Sequence, residues 1–122
     1  MSDPTAALTC SDLVVCLCAE WCGVCREYEE RFRQAQAKYP QVQFLWIDVE
    51  DEADLLHPID VEDFPTLLLA VRDEPRFFGP VTPQAEMLER LIRSTIEDPV
   101  APVLAHKAIA DLVSRIRNRT GV

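Results

Sequence analysis

The apolar positions of this chain fall into two kinds of run, short and nearly continuous or long with a helical repeat. Residues 12–19, Asp-Leu-Val-Val-Cys-Leu-Cys-Ala, are almost unbroken apolar. Such a run with β-branched members predicts a strand buried on both faces, as in a sheet with parallel neighbours. From Cys22 the pattern changes. Tyr28, Phe32, Ala35 and Tyr39 recur at steps of four, three and four, with Glu29, Glu30, Arg33 and Lys38 opposite and Pro40 as a stop. That is one amphipathic helix. Residues 42–49 and 66–71 read as two further strands. Between them the acidic stretch Asp48 to Asp54 predicts a short helix reaching about His57, because a helix N-terminus favours negative charge. Arg72 to Pro75 reads as a turn, Arg76-Phe77-Phe78 as a short antiparallel return strand, and Gly79-Pro80 as its close. Thr82-Pro83 predicts a helix start, with Thr82 as N-cap and Pro83 at the first helical position. Leu88, Leu91, Ile92 and Ile96 make its stripe. Pro99 and Pro102 break the chain and open a last helix lined by Leu104, Ala108, Ile109, Leu112, Val113 and Ile116. This order predicts an α/β sandwich around one small mixed sheet, with a right-handed crossover in the 12–49 unit.

Length and composition agree with one such unit. The chain has 122 residues, 48% hydrophobic and 27% charged. That suits a single globular domain and excludes a disordered or fibrous chain. No apolar stretch approaches the ~20 residues of a membrane helix. The net charge of −9 argues against binding to a phosphate backbone. The charge is uneven: residues 101–122 carry four bases (Lys107, Arg115, Arg117, Arg119) against Asp111 alone. A basic last turn complements a helix dipole, and a partner-binding patch is the alternative. The N-terminal residues carry neither a basic stretch nor an apolar core of a secretory signal, so a reducing, cytoplasmic setting is the expectation.

All five cysteines, Cys10, Cys16, Cys18, Cys22 and Cys25, lie within the first 25 residues. In a reducing compartment such cysteines are catalytic, metal-binding or buried rather than structural bridges. Cys22-Gly23-Val24-Cys25 is a C-x-x-C placed after a buried strand at the opening of a helix. There a sulfur sits beside unpaired backbone N–H groups at the positive dipole end, surroundings that suit a thiolate nucleophile. Cys25 follows nearly one helical turn later, close enough for a small, reducible disulfide. Cys16 and Cys18, two apart on a strand, share a face. Buried small hydrophobes are one reading, and an additional redox thiol at Cys16 is the other. The run C-x-C-x3-C-x-x-C holds enough thiols for zinc or an iron–sulfur cluster, although strand burial of Cys16 and Cys18 works against such a site. His57 and His106 are isolated, and Cys10 reads as a bystander.

Ala19-Glu20-Trp21-Cys22-Gly23-Val24-Cys25 resembles the thioredoxin family's A-E-W-C-G-P-C, and Phe64-Pro65-Thr66-Leu67 resembles its I-P-T-L. Asp48 and Gly79 also match the family's spacing. The resemblance covers roughly residues 12–97. It implies a thioredoxin-like sandwich, N-terminally shortened, with an extra C-terminal helix: residues 1–11 an arm or short strand, 12–97 the domain, 98–122 an extension packed on it. That helix covers the sheet, or pairs two copies through its apolar stripe.

The resemblance also implies a thiol–disulfide oxidoreductase that reduces protein disulfides. Cys22 would be the attacking thiol and Cys25 the resolving thiol. Trp21, Gly23, Val24, Phe64 and a cis Pro65 would shape the docking surface. The implied partners are disulfide-containing proteins and a flavin-dependent disulfide reductase as electron donor, with no separate cofactor, nucleic acid or membrane. A thioredoxin-fold interaction module without turnover is the alternative, and a metal protein a further one.

The chain departs from the family at four positions. The family's buried Asp and its partner Lys correspond to Cys16 and Phe44, and its second strand tryptophan corresponds to Cys18. Loss of both charges together is self-consistent, since one left alone in a core is costly. Weaker pH tuning of the resolving step is the expectation. Val24 replaces the proline between the cysteines, which implies a somewhat more oxidising couple.

Overall fold

The computed structural model describes residues 12–97 and 102–120. The arm predicted over residues 1–11, with Cys10 and any N-terminal shortening, lies outside them. Strand β1 (Asp12–Cys18) is the predicted buried run. Its neighbours are β2 (Gln43–Asp48), which runs parallel to it, and β3 (Thr66–Val71), which runs antiparallel. β4 (Glu74–Pro80) adds an antiparallel strand to β3, so the sheet order is β2-β1-β3-β4. Helix α1 (Gly23–Lys38) connects β1 to β2 and buries Tyr28, Phe32 and Ala35 of the predicted stripe together with Cys25, while Tyr39, the last member predicted, is the half-buried C-cap.

Alternation along β1 divides the core in two. Val14, Cys16 and Cys18 face α1 and α3 (Ala85–Thr95), joined by Leu67, Leu69, Leu88 and Ile92. Leu13, Val15 and Leu17 face the other way, toward α2 (Ala53–Leu56) and α4 (Lys107–Thr120). Ile109, Leu112, Val113 and Ile116 of α4 are buried on that second face. The apolar stripe is therefore covered by the chain's own sheet. The basic end of α4 is also occupied within the chain. Arg115 Nε donates to the Leu55 carbonyl (2.8 Å), Arg117 Nε to Asp73 (2.6 Å) and Arg119 to Glu52 (2.6 Å).

Three element boundaries differ from the sequence pattern. α3 begins at Ala85 with Gln84 as N-cap, not at Thr82-Pro83. A residue before proline is pushed to extended backbone, and Gln84 is itself extended (φ −109°, ψ 134°), so the helix starts beyond both. α4 begins at Lys107, and Leu104 precedes it, donating its N–H to the Pro75 carbonyl (2.8 Å) beside β4. β4 is longer than the predicted 76–78, because the turn needs only Arg72 and Asp73, both at positive φ (53° and 66°). Two consecutive residues of that kind match the twist of a tight hairpin.

Leu112 is fully buried between α4 and the sheet. Leu112→Ala removes side-chain volume there and is expected to cost about 2–5 kcal/mol, read as a lowered urea midpoint with an unchanged slope. A loss below about 0.5 kcal/mol, the surface-substitution range, would show that α4 does not seal this face.

Candidate functional site

The carboxyl end of β1 delivers the chain to the sulfur cluster. Ala19 is the last buried residue, and its carbonyl accepts the Cys22 N–H (3.0 Å), which folds the Glu20-Trp21 turn. Cys22 is then the N-cap of α1 with extended backbone (φ −82°, ψ 120°), and its side chain makes no capping bond. No acidic residue stands in the first turn. The half-buried Cys22 sulfur is thus free beside the helix N-terminus, where N–H groups lack intrahelical partners. Gly23 adds no bulk there, and a Cβ built on it would meet nothing within 4 Å.

Trp21 and Val24 flank Cys22 and are the large hydrophobic residues exposed at this end, Trp21 at 65%. Trp21 stands edge-on to Phe64 (ring centroids 5.7 Å), which ties the loop before α1 to the loop before β3. Register places Leu17 opposite Thr66, so Pro65 enters β3 beside the end of β1. Pro65 is buried, its carbonyl accepts the Val81 N–H (3.0 Å), and the Phe64–Pro65 bond is cis, as is His57–Pro58. The structure thus brings Trp21, Cys22, Gly23, Val24, Phe64 and Pro65 to one end of the sheet. His57 and His106 are exposed elsewhere.

Below this surface the sulfur pairing differs from the sequence expectation. Cys25 is bonded to Cys18, with Cα atoms 5.8 Å apart, and Cys22 is a free thiol. The sequence pointed to a Cys22–Cys25 couple, with Cys16 either a buried small hydrophobe or an extra redox thiol. The observed pairing has a steric cause. Cys18 and Cys25 both point into the layer between β1 and α1, and the small Cys18 side chain stands where the family carries a tryptophan. Cys16 lies one pleat deeper, fully buried and free, with its sulfur 3.7 Å from that of Cys18. Of the four thiols in the C-x-C-x3-C-x-x-C run, this leaves Cys16 and Cys22 unbonded. A usable signal for Cys18 did exist: it shares strand parity with Cys16 and precedes the helix by a short turn.

The region matching the family's buried ion pair is apolar. Phe44 packs edge-on against Phe32 (5.2 Å), which also meets Trp46 (5.6 Å). Burial pushes the Cys16 thiol well above its ordinary value. Tyr28, read from the sequence as a plain core residue, places its hydroxyl in this cluster with no hydrogen-bond partner among the described residues. Burial first, and the Cys16 sulfur second, push that hydroxyl up as well. Both groups stay neutral at working pH.

Asp48 holds the site from the end of β2. Its carboxylate accepts N–H groups from Glu20 (2.9 Å), Glu50 (2.8 Å) and Asp51 (3.2 Å). The Glu20 bond ties the turn before Cys22 to the neighbouring strand. A pocket of about 310 Å³ opens beside Cys25, lined in part by Glu29, Trp46 and Asp48. Desolvation raises the Asp48 pKa, but the three N–H donors outweigh it, so the group ionises below its ordinary value.

A lowered carboxyl value stabilises the fold above the unfolded pKa of about 4 and loses that contribution as pH falls through the folded value. Asp48→Asn is expected to cost about 1 kcal/mol at neutral pH. It should also flatten the stability profile on the acid side, as read by thermal melts across pH. An unchanged acid limb would remove Asp48 from this role.

The thioredoxin family model matches residues 6–93. Thioredoxin Asp f 28 of Aspergillus fumigatus is 32% identical over 89 residues, which span 72% of this chain and 82% of that protein. Thioredoxin-1 of Saccharomyces cerevisiae is 35% identical over 57 residues, 47% of this chain and 55% of that protein. Among solved structures, thioredoxin from Trypanosoma brucei brucei superposes with a TM-score of 0.63 at 22% identity, covering 80% of this chain and 88% of that one. Thioredoxin NaTrxh from Nicotiana alata does so with a TM-score of 0.61 at 29% identity, covering 72% and 76%. With its strand–W-C-G-V-C–helix junction and the sheet that carries it, this chain belongs to the thioredoxin family, whose members are protein thiol–disulfide oxidoreductases.

Proposed function

We propose that the chain reduces protein disulfides through Cys22 as nucleophile and Cys25 as resolving thiol. The observation that carries this reading is the setting of Cys22: a free, half-buried thiol at the start of α1, flanked by exposed Trp21 and Val24. The Cys22 thiolate attacks one sulfur of the substrate disulfide, and the other substrate sulfur leaves as a thiolate. Cys25, reduced at this stage, then attacks the Cys22 sulfur and releases the second substrate thiol. Two electrons and two protons pass to the substrate, and the chain keeps one disulfide.

The apolar patch of Trp21, Val24 and Phe64 suits an extended segment of the substrate chain, with Pro65 at its border and Gly23 leaving room at the backbone. A flavin-dependent disulfide reductase is the class of donor that returns the electrons. A reducing compartment such as the cytoplasm suits the free thiols of Cys16 and Cys22.

Insulin reduction with a thiol donor tests the assignment. Cys22→Ser is expected to lower the rate by more than about a hundredfold, because a serine hydroxyl is a poor nucleophile without an adjacent base. Cys25→Ser is expected to accumulate a mixed disulfide between Cys22 and the substrate, isolable by acid quench. Substantial turnover by Cys22→Ser would overturn the assignment.

A further inference from the structure

The bond between Cys18 and Cys25 has a consequence for turnover. Cys25 is the sulfur common to two pairings. It lies three residues beyond Cys22, with Cα atoms about 5 Å apart by helix geometry. It lies 5.8 Å from Cys18 by the same measure. Both separations fall within the range of about 4.4–6.8 Å that a disulfide spans. Cys22 is at the surface end of this row and Cys18 at the buried end, 1% exposed. The Cys16 sulfur stands 3.7 Å beyond Cys18, and a pocket lies beside Cys25.

We propose that Cys18 is a third catalytic cysteine, which takes over the disulfide from Cys22 by attacking Cys25 and so restores Cys22 as a free thiol. The inference rests on the functional reading above. The Cys18 sulfur attacks Cys25, the Cys25–Cys18 bond forms, the Cys22–Cys25 bond breaks, and Cys22 leaves as a thiolate. The proton lost by Cys18 is matched by the proton Cys22 takes up. No electrons enter or leave, so the step is an isomerisation of one disulfide into another. Cys16 is placed to share a hydrogen with Cys18 while the latter is a thiol.

The reverse exchange, Cys22 attacking Cys25, brings the disulfide back within reach of a dithiol donor. The oxidised chain therefore keeps a nucleophile at its surface. With a second disulfide, R–S–S–R′, Cys22 forms Cys22–S–S–R and releases R′–SH, and Cys25, held by Cys18, is not available to resolve it.

The test follows the pairing in time. The reduced full chain receives one equivalent of an aromatic disulfide with a coloured thiolate leaving group. Samples are quenched in acid, alkylated, and mapped by mass spectrometry. The expected course is early Cys22–Cys25, decaying as Cys18–Cys25 rises, with Cys22 alkylated at the end. That end product, given oxidised glutathione, takes up one glutathione at Cys22. Cys18→Ser is expected to stop at Cys22–Cys25 and take up none. Cys18→Ala serves the same purpose if the buried hydroxyl disturbs folding, which circular dichroism reports.

A wild-type chain that stays at Cys22–Cys25, with Cys18 alkylated throughout, overturns the proposal and leaves the reductase reading intact. Cys18–Cys25 forming as fast in Cys22→Ser as in wild type also overturns it, since the bond would then arise without Cys22. Failure to release the coloured thiolate and to form any disulfide sinks the reductase reading itself, and the relay with it.

Discussion

Strand β1 is buried on both sides from Leu13 to Ala19, and a strand so placed holds only if each face of the sheet is covered. That constraint distributes the rest of the chain. One face takes α1 and α3, the other α2 and α4. It also locates the chemistry. The strand must surface at Glu20 and turn at once into α1, which puts the first turn of that helix directly above the side chains at the end of β1. Residues of one parity, Cys16 and Cys18, are then the floor on which Cys25 rests. A cysteine at position 18 cannot avoid meeting Cys25, because both are enclosed in the same layer.

The polar framework around this core is sparse and specific. Asp48 joins two loops through three backbone donors. From the other side, three arginines of α4 reach two segments: Arg115 and Arg119 meet Leu55 and Glu52 in and before α2, and Arg117 meets Asp73 in the tight turn. Exposed ion pairs contribute little singly. Here their effect is positional, since each fixes the end of α4 against another element. The concentration of positive charge beyond residue 100 answers acids placed far earlier in the chain, which is why the sequence alone suggested a dipole effect or an external partner.

The strands and α1 were legible because their repeats are strong and uninterrupted. The start of α3 was not, since Thr82-Pro83 carries the residue types of a helix start while the proline holds its predecessor extended. Leu104 fitted the stripe of α4 by spacing, yet it belongs to the approach beside β4. At the site, Trp21, Cys22, Gly23, Val24, Phe64 and Pro65 were legible as a group because two motifs flank one end of one strand. The partner of Cys25 was not. Strand alternation assigns a face to Cys16 and Cys18 alike, but the depth at which a helix crosses that face is a tertiary quantity. The family pattern also drew attention to Cys22, because it places a tryptophan where this chain has Cys18. Tyr28 was legible as core but not as a buried hydroxyl beside sulfur, since periodicity is blind to what a side chain carries at its tip.

The placement of α4 bears on how this domain can be divided. The family match ends at residue 93, whereas the helix that seals the second sheet face spans Lys107–Thr120. The recognisable family region is thus not the cooperative unit. Leu13, Val15, Leu17, Leu68 and Ala70 belong to the former and have part of their cover in the latter, beside Leu55 and Leu56 of α2. Fusions, chimaeras or excised fragments cut at the family boundary would carry the whole redox motif on a sheet with one side only partly covered. For this chain, modularity by homology and modularity by packing are different things.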